Sequence, residues 1–129
     1  MEDKQNPFVW IEIPVTDIGR AEQFYENLLG YTFDRQPEKM GYTLSWFPMH
    51  RGAAYGSAGA LIMGDQCVPS MTGTTPYLAV PNTVNETLEK AKEMGVTVLC
   101  PRMDIGEHGF FALIQDSEGN KIAIHSMKG

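Results

Sequence analysis

Hydrophobic and polar residues follow two different periods near the start of the chain. Every second side chain from residue 9 to residue 15 is apolar, which predicts a strand with one buried face. From residue 21 to residue 29, apolar side chains recur three to four positions apart, which predicts an amphipathic helix. Asp17 is expected to cap the start of this helix, and Gly30 is expected to end it in a left-handed conformation.

The same order of features returns 65 positions later in the chain. At this offset Val80 matches Val15 of the first strand. Asn82 takes the capping position, and Gly95 matches the helix-ending Gly30. A single offset that aligns a strand, a cap and a glycine stop indicates an internal repeat.

Short extended runs bounded by turn residues follow each helix. They cover residues 31–33, 43–47, 58–63, 96–100, 109–114 and 121–126. Together with the strand and helix before them, they predict two modules that each run strand, helix and three strands. We therefore expect one α+β domain over residues 1–129, with module 1 at about 8–64, a linker at about 65–74 and module 2 at about 75–126.

Charge and composition narrow the class of partner. The formal net charge is −6, so the phosphates of a nucleic acid would be repelled. No run approaches the roughly 18 apolar residues of a membrane span, and the N-terminal residues lack the pattern of a signal peptide. We expect a cytoplasmic protein with no nucleic-acid or membrane partner, in which Cys67 and Cys100 are reduced.

Two sequence runs resemble a known superfamily. Residues 12–17 read Glu-Ile-Pro-Val-Thr-Asp and residues 116–122 read Asp-Ser-Glu-Gly-Asn-Lys-Ile, and the first run is followed by Arg20-Ala21, Phe24-Tyr25 and Leu29-Gly30. They resemble the opening and the last hairpin of the glyoxalase, bleomycin-resistance and extradiol-dioxygenase superfamily, also called vicinal oxygen chelate proteins. The resemblance implies two βαβββ modules whose curled mixed sheets surround a cleft.

The resemblance also implies positions for metal ligands, and this sequence has other residues there. The first-strand histidine of catalytic members corresponds to Trp10, and its counterpart in module 2 corresponds to Thr75. The last-strand glutamate corresponds to Ala123, and its counterpart falls within residues 61–63. Because a metal centre needs about three protein ligands at one point, we expect no metal and no other cofactor. This expectation argues against lyase, isomerase and dioxygenase activity.

Strand alternation indicates which residues line the expected cleft. If the apolar positions of the first strand pack under the helix, Trp10 and Glu12 face the cleft, and Thr75 and Tyr77 do so in module 2. The predicted ligand-binding residues are Trp10, Glu12, Trp46, Thr75, Tyr77, Phe110 and His125. The alternative is that the aromatic side chains fill the cleft themselves.

Glu12 and His125 are the candidate catalytic residues. A carboxylate between apolar strand positions needs a partner, so Glu12 either serves a ligand or is held by an ion pair or by hydrogen bonds to a neighbouring strand. His125 lies two residues after Ala123 and therefore shares its strand face. His108 and His50 lie in predicted loops, where histidines are more often exposed than functional.

These observations favour a metal-independent small-molecule-binding protein of the glyoxalase and bleomycin-resistance type, with aromatic side chains around its cleft. The alternative is a metal-dependent lyase or isomerase of the same superfamily, with an unusual ligand set of Glu12, His125 and one of the other histidines. A structural or partner-binding dimer is a third hypothesis. The resemblance implies a homodimer, because members often build each cleft from modules of two chains. The identity of the ligand stays open.

Overall fold

Two four-stranded sheets, each with one helix, form the fold. The computed structural model describes residues 6–50, 52 and 56–129. The α+β class and the two predicted βαβββ modules are confirmed. In chain order the elements are β1 (Trp10–Pro14), α1 (Ile18–Leu29), β2 (Asp34–Arg35), β3 (Thr43–Trp46), β4 (Ala58–Met63), β5 (Tyr77–Ala79), α2 (Val84–Glu93), β6 (Val98–Asp104), a short 3-10 turn (Gly106–His108), β7 (Phe110–Gln115) and β8 (Lys121–Ser126).

The two sheets have the same topology and are not joined to each other. The strand order is β1-β4-β3-β2 in module 1 and β5-β8-β7-β6 in module 2. The first and last strands of each module are parallel, and the other neighbours are antiparallel. Each helix therefore takes the chain from the first strand to the far edge of the sheet, from which three strands return.

The first helix begins and ends where the sequence predicts. The side chain of Asp17 accepts a hydrogen bond from the backbone N–H of Arg20 at 3.0 Å, which satisfies a helix N–H that has no partner within the helix. Gly30 has φ 77°, and its N–H donates to the carbonyl oxygen of Glu26. Both predicted helix ends are confirmed.

The second helix begins one residue later than predicted. Thr83, and not Asn82, is the cap, because the Thr83 hydroxyl oxygen accepts from the N–H of Glu86 at 3.1 Å. Asn82 instead donates from its side-chain amide to the carboxylate of Glu86 at 2.7 Å. Gly95 has φ 75° and follows the C-cap residue Met94. The glycine is therefore left-handed as expected, although the two helix starts do not follow the offset.

One hydrophobic core contains side chains from both modules. Tyr25 and Ala21 of α1 have no exposed surface. The same cluster includes Ile13, Val15, Leu61, Val84, Ala91, Ala112, Ile114, Ile122 and Ile124. Burial of a large aliphatic side chain contributes about 1.5–3 kcal/mol, so this shared core holds the two modules together.

Two of the predicted strands have other bounds in the structure. The first return strand of module 1 begins at Asp34, after the predicted run 31–33. β6 does not stop at Pro101 but passes through it to Asp104, with register shifts around Cys100. Proline is tolerated here because β6 is the edge strand of its sheet, where a missing N–H costs no ladder hydrogen bond.

In the described ranges no helix is both long and apolar enough to span a bilayer. The longer of the two, α1, has 12 residues.

Candidate functional site

Each sheet has one face that packs into the core and one face that lies outside it. In module 1, paired residues show that Ile13, Leu61 and Ser45 share the core face and are all buried. We call the opposite side the open face of module 1; it carries Trp10, Glu12, Pro14, Asp34, Leu44, Trp46, Ala58, Ala60 and Ile62. The alternation predicted for the first strand agrees with this arrangement.

Two tryptophans meet on the open face of module 1. The rings of Trp10 and Trp46 lie edge to face, with centroids 6.3 Å apart and planes at 85°. Trp10 is 37% exposed, and its indole N–H donates to the carboxylate of Glu12 at 3.2 Å. Glu12 is therefore held by a residue of its own strand, not by the neighbouring strand considered above. Ala60 lies between Glu12 and Trp46 and is fully buried.

The open face of module 2 carries the second group of aromatic side chains. Strand pairing puts Tyr77, Ala79, Phe111, Leu113, Ala123 and His125 on this face. The rings of Tyr77 and Phe111 lie 5.8 Å apart, and Tyr77 is 55% exposed. Among the described aromatic rings, neither member of this pair contacts Trp10 or Trp46.

His125 is fixed by the loop before β7. Its Nε2 atom lies 2.7 Å from the carbonyl oxygen of His108. Because a carbonyl oxygen only accepts, Nε2 carries the hydrogen, and in the neutral ring Nδ1 remains as an acceptor. His108 thus acts through its backbone, and its own side chain, like that of His50, is exposed.

The structure does not bring the two candidate catalytic side chains into one group. Glu12 lies on the sheet of module 1 and His125 on the sheet of module 2. In the described part of the chain, each has the partner named above, and they make no hydrogen bond to each other. A proton relay between them within one chain therefore finds no support in this geometry.

One predicted site residue, Phe110, lies elsewhere, and for Thr75 the prediction stays a prediction. Phe110 pairs with Ser126, so it occupies the core side of β7, where it packs against the core and under the guanidinium of Arg102. Its placement in the cleft is wrong, and its neighbour Phe111 lies on the open face instead. Phe111, and not Phe110, pairs with His125 of β8 and therefore shares its face. The apolar run 109–114 alone does not specify this register. Thr75 precedes β5 and is partly buried.

The residues at the implied metal positions do not fit a metal centre. Glu12 pairs with Ala60 as Tyr77 pairs with Ala123, so Ala60 is the module 1 counterpart of Ala123 and residues 61–63 are not. Neither these alanines nor Trp10 offers an oxygen, nitrogen or sulfur ligand of the kind a metal needs. Across the residues that the structure describes, no three His, Cys, Asp or Glu side chains group closely enough to hold an ion.

The turn between β7 and β8 joins module 2 to the start of α1. One carboxylate oxygen of Glu118 accepts hydrogen bonds from the backbone N–H groups of Thr16 and Asp17, both at 2.9 Å. Arg20 donates to the other oxygen at 2.7 Å, and the Glu118 side chain has no exposed surface. Burial alone would raise the pKa of Glu118, but these donors and the Ser117 hydroxyl together lower it to about 2.

Asp116 and Asn120 complete this joint. The hydroxyl of Tyr25 donates to Asp116 at 2.6 Å, and burial beside that carboxylate raises the pKa of Tyr25 well above its ordinary value. Asn120 donates to the carbonyl oxygen of Pro14 at 2.8 Å. The acidic and Gly-Asn positions that carried the resemblance therefore connect the two modules.

Two shallow hollows lie beside the helices. One, of about 320 Å³, is lined by Phe24, Met94, Gly95, Val96, Thr97, Gln115, Asp116 and Ser117. The other, of about 280 Å³, lies between the end of α1 and the start of α2. Neither is lined by the tryptophans or by Tyr77.

Comparison with protein families gives a match in the first module. Residues 7–46 match the family described as "Bleomycin resistance protein-like N-terminal". Proteins named "Putative glyoxylase CFP32" from Mycobacterium bovis and Mycobacterium tuberculosis are 27% identical over 124 residues. The match covers 95% of this chain and 46% of theirs, so the chain spans about half the length of these curated relatives.

Solved structures share the fold at low sequence identity. The trypanothione-dependent glyoxalase I of Leishmania major has a TM-score of 0.72 and is 19% identical, with 95% of this chain and 88% of that chain covered. TnmS3, an antibiotic-binding protein from a Streptomyces species, has a TM-score of 0.67 and is 22% identical, with 95% and 98% covered. At these identities the likeness concerns the fold alone.

Proposed function

The chain belongs to the glyoxalase and bleomycin-resistance superfamily, and from this membership we propose that it binds a small molecule on the open faces of its modules. The observation that carries the proposal is the edge-to-face pair of Trp10 and Trp46 beside the carboxylate of Glu12. Large aromatic side chains with exposed surface and one polar group beside them are typical of ligand sites. A similar protein, TnmS3, is named for binding an antibiotic.

Binding is proposed to be independent of metal. The support is the chemistry of the side chains at the positions that the resemblance implies for metal ligands. Trp10, Ala60 and Ala123 have no side-chain atom that can coordinate a metal ion. A metal-dependent lyase or isomerase would need another set of metal ligands. The candidates Glu12 and His125 lie on different sheets of one chain, so they do not supply such a set together. The proposed protein therefore sequesters or senses its ligand without turning it over.

The complete site is proposed to form between two copies of the chain. The open face of module 1 supplies Trp10, Glu12 and Trp46, and the open face of module 2 supplies Tyr77 and His125. Within one chain the two aromatic pairs do not contact each other. If a second copy lays one kind of face against the other, both aromatic groups enclose one ligand, and each homodimer has two equivalent sites.

Tryptophan fluorescence tests ligand binding directly. The chain has 2 tryptophans, and both lie on the open face of module 1, so any tryptophan response reports from the proposed site. Titration with a metabolite and antibiotic library is expected to give saturable changes with unaltered ligand recovered afterwards. Absence of any change across the library would refute the proposal.

Elemental analysis separates the binding protein from the metal enzyme. A preparation free of metal that binds its ligand equally well with and without added Zn, Ni, Mn or Fe supports metal-independent binding. A stoichiometric metal ion whose removal abolishes ligand binding, or abolishes a turnover seen with the metal bound, would support the enzyme instead.

A further inference from the structure

One transverse row of side chains crosses the open face of module 1. Strand pairing gives its order as Glu12, Ala60, Trp46 and Asp34, one residue from each of the four strands. Neighbouring strands lie about 4.8 Å apart, so the two carboxylate residues stand about 14 Å apart with Trp46 between them. Trp10 lies on the same face two residues before Glu12, and its ring approaches the Trp46 indole. The row therefore holds the Trp46 indole between two acids, and the Trp10 indole lies beside it.

The indoles and carboxylates of this part of the open face present negative charge to a ligand. The indole N–H of Trp10 is directed to one carboxylate oxygen of Glu12, so the ring offers its faces rather than its donor to a ligand. Aromatic faces carry the negative side of the ring quadrupole. Asp34 is exposed at the other end of the row. Both the rings and the acids therefore attract the same kind of group.

The nearest basic residue along β2 does not neutralise the row. Arg35 pairs with Ser45, which puts it on the core face, and its guanidinium donates to the carboxylate of Glu22 at 3.0 Å. Glu22 also accepts from the Ser45 hydroxyl at 2.6 Å on that side of the sheet. Because successive side chains alternate along β2, Asp34 lies on the open face and Arg35 lies on the core face, where it binds Glu22 of α1.

We propose that the Trp10–Trp46 corner, with Glu12 and Asp34 beside it, binds the cationic group of a ligand, an alkylammonium or quaternary ammonium. This rests on the proposed function, because it names the ligand class of the same open face. A cation over an indole face gains attraction from the ring and from each nearby carboxylate. An anion would be repelled by both acids, and a neutral ring would contact the indoles but use neither carboxylate. The formal net charge of −6 also favours the approach of a cation.

A pair of probes that differ only in charge tests this proposal. Choline and 3,3-dimethylbutan-1-ol have the same shape. Binding of each to the full chain is followed by NMR of the two indole N–H groups and by tryptophan fluorescence. Choline is expected to bind roughly ten-fold more tightly than the neutral alcohol, because the indole faces and the two carboxylates all attract its charge. Added NaCl is expected to weaken choline binding and leave the alcohol unchanged.

Matched variants assign the preference to the row. Glu12→Gln and Asp34→Asn are each expected to lower choline affinity several-fold and leave the affinity for the alcohol unchanged, because each removes charge and keeps shape. Glu89→Gln makes the same change on the exposed side of α2 and is expected to alter neither. Circular dichroism and thermal melting check that every variant is folded.

The outcomes distinguish this proposal from the proposed function. Equal affinity for choline and the alcohol, together with saturable binding of neutral library compounds, would overturn the cation site and leave small-molecule binding standing. A choline preference that persists in both variants would also overturn the assignment to this row. Silence of both tryptophans toward every probe and library compound would overturn both proposals.

Discussion

Glu12 and Glu118 are two carboxylates that lie in opposite surroundings. Glu118 is enclosed by backbone and side-chain donors at the joint between modules, and its side chain has no exposed surface. Glu12 accepts one hydrogen bond from Trp10 on an exposed strand. A buried, fully paired carboxylate stabilises the fold, whereas an exposed carboxylate beside indole rings is available to a ligand.

Glu118→Gln is expected to destabilise the protein in a pH-dependent way. The folded pKa is lowered from 4.5 to about 2, so its contribution is complete above the unfolded pKa and is lost as the pH falls through the folded one. At neutral pH this lowering of the pKa corresponds to roughly 3 kcal/mol of unfolding free energy. Urea unfolding of the parent and the variant at pH 7, 4.5, 3 and 2 is expected to show this difference shrink toward zero between pH 4.5 and pH 2.

Glu89→Gln provides the control, because it removes an exposed carboxylate from α2. It is expected to change the unfolding free energy by less than about 0.5 kcal/mol at every pH. A Glu118→Gln difference that stays constant from pH 7 to pH 2 would show that the charge of Glu118 does not hold the joint.

Glu12→Gln is expected to leave stability nearly unchanged and to weaken ligand binding. The variant keeps the acceptor for the indole N–H of Trp10 but loses the charge, and the site is exposed. Because the lost charge lies at an exposed position, the affinity for a cationic library ligand is expected to fall several-fold, as for choline. A melting temperature lowered by several degrees with unaltered affinity would instead assign Glu12 to the scaffold.

At the scale of elements, the two glycines that follow the helices share a left-handed conformation, although Gly30 is the C-cap of α1 and Gly95 follows the C-cap of α2. Gly30 has φ 77° and Gly95 has φ 75°, and a Cβ atom at either position would meet no atom within 4 Å. The cost of a side chain there is therefore backbone strain alone, without steric crowding. This is the element-level feature that relates the two modules.

Gly30→Ala and Gly95→Ala are each expected to lower the free energy of unfolding by about 1–2 kcal/mol, the cost of a left-handed conformation in a residue with a Cβ. Gly73→Ala is the control, since Gly73 has no positive φ and a Cβ there meets only Ser70 at 3.8 Å. Denaturant unfolding followed by circular dichroism measures all three. Equal stabilities of the three variants would contradict the assigned role of the left-handed turns.

The features that could be predicted from the sequence are those that depend on local periodicity, namely strand bounds and strand faces. β4 and β8 have the bounds read from their apolar runs, and the alternation of β1 put Trp10 and Glu12 on the correct face. Pairing between strands is not local, so the choice between Phe110 and Phe111 needed the register of β7 with β8. Local side-chain competition decided the start of α2, where Thr83 displaced its neighbour as the cap.

The joint between modules could not be read from the sequence for a similar reason. Glu118 reaches Thr16 and Asp17 across about a hundred residues of chain. The motif around Glu118 supported the resemblance, but it carried no signal that its acid would hold the start of α1. The candidate site was partly predictable, because Trp10, Glu12, Tyr77 and His125 lie on the open faces where alternation put them.

At the scale of the whole molecule, exposed apolar surface is the feature that needs a partner. Trp10 and Tyr77 lie on the open faces, and Val98, Leu99, Met103 and Ile105 on or beside the edge strand β6 are each at least 37% exposed. Large apolar patches and free strand edges on soluble proteins commonly mark interfaces. Light scattering coupled to size-exclusion chromatography is expected to give twice the 14.4 kDa of the chain at micromolar concentration.

Mixing two defective variants tests whether the dimer builds the site. Trp46→Ala disables the open face of module 1 and Phe111→Ala disables that of module 2, so each homodimer is expected to lack ligand binding. If each site combines module 1 of one copy with module 2 of the other, a mixed dimer has one site with both changes and one with neither. Refolding an equal mixture is then expected to restore about one site in four, since half of the dimers are mixed. Sites contained within single chains would remain defective in every dimer, so a mixture that binds no ligand, while both variants are folded and dimeric, would refute the composite site.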